Sequence, residues 1–196
     1  MPPPWPTSGP VAPPSGEVWG FAYGSLIWNP EFDHDAECLG TVQGWHRSFC
    51  LGWVRLYRGT PERPGNMLAL DRGGSCRGGV FRLPRGAVDR KLTLLLRREM
   101  PTRRDTPLAR WVTAATPRGR FRAIAFPISR SSPAWLPGLT EEDVVQALAT
   151  AAGERETMAE YLASTVQHLE ARGIHDTYLW RLQALVAGRI AALYPV

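Results

Sequence analysis

The sequence has almost no lysine, few cysteines and no long apolar run, and each shortage excludes something. Of its 23 basic side chains only Lys91 is a lysine; the rest are arginines, scattered from Arg47 to Arg189. No dense basic block with interleaved aromatics occurs, so the net charge of +5 does not make nucleic acid an expected partner. A surface bias toward guanidinium, with a few anion-binding arginines, accounts for it. Cys38, Cys50 and Cys76 show no paired spacing. That argues against a disulfide framework or a zinc site and fits reduced thiols in a cytoplasmic protein. No apolar stretch approaches the roughly 18–20 residues of a membrane span, so no membrane partner is expected. The opening 16 residues, MPPPWPTSGPVAPPSG, lack the basic and apolar regions of a signal peptide. They read as a Pro-rich disordered tail ahead of one domain over residues 17–196.

What is present is an ordinary globular composition, 44% hydrophobic and 21% charged over 196 residues, enough for a sizeable core. Short apolar or alternating runs, separated by Gly, Pro and Asn, predict strands at 18–23, 38–45, 48–57, 67–71, 75–82, 111–116 and 120–128. One helix is predicted within this region, from Val88 to Glu99, with Pro101 ending it. From Thr140 the period becomes helical. Thr140 with Asp143 forms a near capping box, and Gly153 is expected to end that helix. A second helix is predicted from Glu154 to Arg172, with Gly173 just beyond it, and a third from about Asp176. Strands first and helices after predict an α+β fold: a small mixed β-barrel flanked by helices, with a helical C-terminal part.

Three stretches could carry chemistry. In VWGFAYGSL, an apolar run stops at Tyr23 and resumes at Leu26 after Gly24 and Ser25. This is either a plain turn or a loop whose N–H groups reach a ligand. On the predicted helix, Leu92, Leu95, Leu96 and Glu99 share one face, since residues three, four and seven apart stack. Glu99 is then driven toward a low-dielectric setting that raises its pKa and suits it to proton transfer. The alternative is a helix-end glutamate paired with Arg97, Arg98 or Arg103. RGTPERPGNML, from Arg58 to Leu68, is either a shaped binding loop carrying Arg58, Glu62 and Arg63 or a structural turn. His46 reads as packed or solvated. FDHD at 32–35 lacks metal-ligand spacing, and no metal site is expected. Trp28 is the tryptophan placed nearest a pocket.

YGSLIWNPEF, GWHRSFCLG, RGTPERPGNMLAL, CRGGVFRLP and RREM occur in that order. Together, and with the helical end, they resemble the ChaC-type glutathione-specific γ-glutamylcyclotransferases over about Val18 to Ile190. The resemblance implies a β-barrel fold and a lyase without metal or cofactor. Such an enzyme releases 5-oxoproline and Cys-Gly from glutathione, a small-molecule substrate. It implies that Tyr23, Gly24, Ser25 and Leu26 hold the γ-glutamyl moiety and that Glu99 is the acid/base. Arg58 is then a candidate for a substrate carboxylate. After RREM the family carries a Gly-containing segment ending in Tyr; here Asp105 or Thr106 stands there, and Arg103 or Arg104 could meet a carboxylate instead. Another γ-glutamyl amine or peptide as substrate, or a non-catalytic γ-glutamyl-binding protein, are the alternatives.

Overall fold

The computed structural model describes residues 17–30, 33–55, 57–99 and 109–195. The Pro-rich stretch 1–16 and residues 103–106 lie outside them. The architecture is α+β, with five strands in a closed barrel and four α-helices among the described residues. The chain groups into two compact units: residues 1–47 with 70–132, and residues 48–69 with 133–196.

The first unit holds most of the barrel; residues 48–54 and 65–69 of its two long strands fall in the second. Strands β1 (Trp19–Ala22), β2 (Ala36–Val54), β3 (Gly65–Arg82), β4 (Arg110–Thr116) and β5 (Gly119–Ala125) close in the order β1-β3-β2-β4-β5. β1 is antiparallel to β3 and parallel to β5, so the barrel is mixed. Phe21, Val42, Leu70, Val80, Val112 and Ala123 are among the side chains that fill it. Helix α1 (Val88–Glu99) belongs to this unit. Asp71, 7% exposed, takes two hydrogen bonds from Arg130, at 3.0 and 3.1 Å, and one from the Arg72 N–H. Burial pushes its carboxyl upward, but these donors outweigh burial and hold it below the usual range.

The sequence predicted two strands where β2 runs and two where β3 runs. Each is one strand of 18 or 19 residues. Gly73 and Gly74, taken for punctuation, are bends within β3, at φ +111° and +62°; Gly44, at φ +80°, bends β2 inside the first of its two expected runs. A left-handed residue lets a strand kink and continue, as a bulge does.

In the second unit, helices α2 (Glu141–Thr150), α3 (Met158–Glu170) and α4 (Thr177–Leu193) bury Val144, Leu148, Leu162, Val166, Leu179 and Leu182. The expected Thr140–Asp143 capping box is present, and Asp176 caps α4. Two boundaries differ from expectation. α2 ends at Thr150, before Gly153, and α3 begins at Met158 rather than Glu154. A second capping box, Thr157 with Glu160, sets the later start. Residues 153–156 are used otherwise. A Cβ on Gly153 would stand 2.4 Å from backbone atoms of Tyr57 and Arg58, and the Arg155 N–H donates to Tyr57 O at 3.1 Å. Among the described residues, no helix is long and apolar enough to cross a membrane.

Candidate active site

β1 delivers the YGSL stretch to the end of the barrel, and both sides of Tyr23 are tied down. Its hydroxyl donates to Phe126 O at 3.0 Å, within the core. Its carbonyl accepts from Arg47 Nε at 2.6 Å. Arg47 is itself 4% exposed and also donates to Arg77 O at 2.7 Å. A buried guanidinium satisfied by carbonyls is a fixed strut. Nothing in the sequence marks this residue beyond its place beside His46.

After Tyr23 the backbone turns into one 3-10 turn, Ser25–Ile27, with Gly24 as its N-cap. The N–H groups of Ile27, Trp28 and Asn29 bond back to Gly24 O and Ser25 O at 2.8–3.2 Å. Those of Ser25 and Leu26 precede the first such bond and have no acceptor inside the turn. Leu26 and Ile27 are buried, at 6% and 1% exposure, which anchors the turn to the unit.

α1 brings the second component. Leu92, Leu95 and Leu96 are buried, as the face pattern predicted. Leu95 and Leu26 line one small apolar cavity together with Phe81 and Phe126, so helix and turn share an apolar contact. Two cations on the helix then reach the same stretch of chain. Lys91 Nζ donates to Asp33 at 2.5 Å. Arg98 donates to Asn29 O and, at 3.2 Å, to Ser25 Oγ. Arg98 Nε also lies 3.3 Å from Glu99 Oε1. One guanidinium therefore joins the Gly-Ser turn to the helix-end carboxylate. The Glu99 side chain is 18% exposed, less enclosed than its leucine neighbours, because it occupies the last helical position. Ion pairing with Arg98 was the alternative reading of this glutamate. The structure shows that pairing together with proximity to the turn.

Tyr23, Gly24, Ser25, Leu26 and Glu99 thus gather in the first unit. Arg58 lies in the second. It donates to Glu156 Oε1 at 2.6 Å, stacks 4.3 Å from the centre of the Tyr161 ring and contacts Met67 Sδ at 3.6 Å. His46 is half-buried, with Nδ1 3.1 Å from Gly73 O. The FDHD stretch is divided among separate partners: Asp33 on Lys91, His34 beside Glu37 at 3.6 Å, and Asp35 on Arg82 at 2.6 Å. Phe32 lies outside the described residues, among which no group of three His, Cys, Asp or Glu could hold a metal. In the sequence Lys91 stands out only as the single lysine and Arg98 only as one of three possible partners for Glu99. They sit seven apart, on one helix stripe bordering the leucine face, and that spacing was the available signal.

Known proteins show which family shares this sequence and fold. The chain matches the ChaC-like protein family over residues 18–189. It is 38% identical over 184 residues to the glutathione-specific gamma-glutamylcyclotransferase of Escherichia coli K12, covering 93% of this chain and 78% of that protein. The glutathione-specific gamma-glutamylcyclotransferase 1 of Rattus norvegicus is 28% identical over 181 residues, 88% of this chain and 81% of that one. The crystal structure of a yeast γ-glutamylcyclotransferase specific to glutathione superposes with a TM-score of 0.79, covering 92% of this chain and 99% of that chain. At 18% identity the yeast structure speaks for the fold. With the family matched from the first strand into the last helix, the chain belongs to the ChaC-like family.

Proposed function

We propose that this protein cleaves glutathione by cyclising its γ-glutamyl group. The observation that carries the reading is the single guanidinium of Arg98, which holds the Ser25 hydroxyl and the Glu99 carboxylate to one place. The substrate's α-amine attacks its own γ-carbonyl carbon. A C–N bond forms the five-membered lactam, and the C–N bond to cysteine breaks. The proton lost by the amine is gained by the departing Cys-Gly nitrogen, so 5-oxoproline and Cys-Gly leave with no water consumed. Because attack is intramolecular, the protein's task is to fold the substrate into attack geometry.

In this reading Glu99 takes the amine proton and returns it to the leaving nitrogen. The N–H groups of Ser25 and Leu26 face the γ-glutamyl oxygens, where charge develops. Tyr23 contributes through its pinned backbone, since its hydroxyl is used by Phe126 O. Arg58 has its charge on Glu156, and we read it as holding the 58–65 loop. Glutathione as substrate and the free thiols Cys38, Cys50 and Cys76 support a reducing, cytoplasmic compartment.

Incubating the purified protein with glutathione and following 5-oxoproline and Cys-Gly by chromatography tests this. Glu99→Gln should lose about 10²–10⁴-fold in kcat, the usual worth of general acid–base catalysis. Full activity in Glu99→Gln would sink the mechanism. A wild type inert on glutathione but active on another γ-glutamyl compound would change the substrate.

A further inference from the structure

Resting on that reading, we propose that Arg98 is a positioning residue that sets both the spacing and the hydrogen-bond polarity of the site. A guanidinium carries only donors. Where Arg98 meets Ser25 Oγ, the serine oxygen must accept, at 3.2 Å. The serine's own hydroxyl hydrogen is then directed at another oxygen. Arg98 thereby makes Ser25 a donor toward a substrate carbonyl or carboxylate. A second nitrogen of the same plane meets Asn29 O, the carbonyl just past the turn. The third, Nε, meets Glu99 Oε1 at 3.3 Å.

Three acceptors from two separate chain segments are thus read by one rigid fork. Adjacent residues on a helix do not normally face each other. Here Arg98 and Glu99 meet at the helix end, where Arg98 is also bonded to the 25–29 turn. Both side chains are largely enclosed, at 19% and 18% exposure, unlike the freely solvated surface pairs that contribute little. A lysine could supply the charge but not three donors in a plane. Lys91 provides the natural control. It fastens the same stretch of chain, at Asp33, without touching Ser25 or Glu99.

The test compares Arg98→Lys, Arg98→Met, Ser25→Ala, the Arg98→Met/Ser25→Ala double variant and Lys91→Met. The measurements are kcat and KM for glutathione, Tm, and amide hydrogen exchange at residues 24–29. Both Arg98 variants should lose about 30-fold or more in kcat, with KM within about threefold, the pattern of an interaction made in the transition state. The double variant should be scarcely worse than Arg98→Met, because the two groups act as a unit. Exchange at 24–29 should quicken in both Arg98 variants. Recovery of most of the rate by Arg98→Lys would overturn the proposal, as would a kcat loss in Lys91→Met equal to that in Arg98→Met. Unchanged exchange at 24–29 overturns it too. If the wild type proves inert on glutathione, the functional reading fails separately, and exchange alone then decides whether Arg98 orders the turn.

Discussion

Arg98 and Arg58 each gather three contacts, one in the first unit and one in the second, and the difference lies in what they touch. Arg58 has a carboxylate at its edge, an aromatic ring on its face and a thioether beside it. Its charge is met by Glu156, and its flat surface is covered. It closes the 58–65 loop onto α3 within one unit and resembles a fastening. Arg98 meets a hydroxyl, a carbonyl and a carboxylate, two of which are groups that chemistry can use. A guanidinium's partners therefore distinguish a residue that holds a fold from one that arranges a site. Position in sequence does not: both lie in motifs of the family resemblance.

The comparison fails first if the second unit is not held by close backbone approach as well as by charge. Gly153→Ala is the severest test. Its added methyl would stand 2.4 Å from Tyr57 and Arg58 backbone atoms, which have no rotamer to escape into. A loss of about 3 kcal/mol is expected, at the upper end for overpacking. Denaturant unfolding measures it, and a loss below about 1 kcal/mol would show that the 57–65 loop yields easily.

Arg58→Met comes next. The pair with Glu156 is largely shielded, with side chains 19% and 28% exposed. Removing one partner leaves a carboxylate without its donor and should cost about 2 kcal/mol. The signature of a fastening is a fall in Tm. A tenfold rise in KM for glutathione at unchanged Tm would instead mark Arg58 as a substrate contact and erase the contrast with Arg98.

Local pattern carried much of this structure and misled where one residue type serves two ends. The leucines of α1 announced the helix because 3.6 periodicity is a local property. Gly73 and Gly74 were misread because a turn and a strand bulge both call for left-handed backbone, and only the partner strand decides between them. At the site, Tyr23–Leu26 and Glu99 stood out through motif and helical face. Arg47 did not, since a buried arginine depends on carbonyls supplied by Tyr23 and by Arg77, thirty residues away. Arg98 was visible only as one of three possible partners for Glu99. That it spans to Ser25, 73 residues earlier, is a fact of tertiary structure.

The smallest expected effect concerns a fastening with a pH-dependent half. At the start of α3 the Glu160 carboxylate accepts from the Thr157 N–H at 2.8 Å, and the Thr157 hydroxyl accepts from the Glu160 N–H at 3.1 Å. Hydrogen bonding from the Thr157 backbone, then from its hydroxyl, holds the Glu160 carboxyl below its ordinary value. A carboxyl depressed in the folded state stabilises above its unfolded pKa, and that contribution is lost as pH falls through the folded pKa. The threonine half is unaffected by acid. Thr157→Ala should therefore cost about 1 kcal/mol at neutral pH, the usual worth of an N-cap. Its penalty should shrink but not vanish as pH falls below the ordinary glutamate range and through the lowered pKa of folded Glu160. Glu160→Gln keeps an acceptor for the Thr157 N–H and carries no titrating proton, so its Tm should track pH less steeply there than the wild type's. Parallel Tm–pH curves for wild type and Glu160→Gln would mean that the carboxylate half of this box adds nothing, and that Thr157 alone sets where α3 begins.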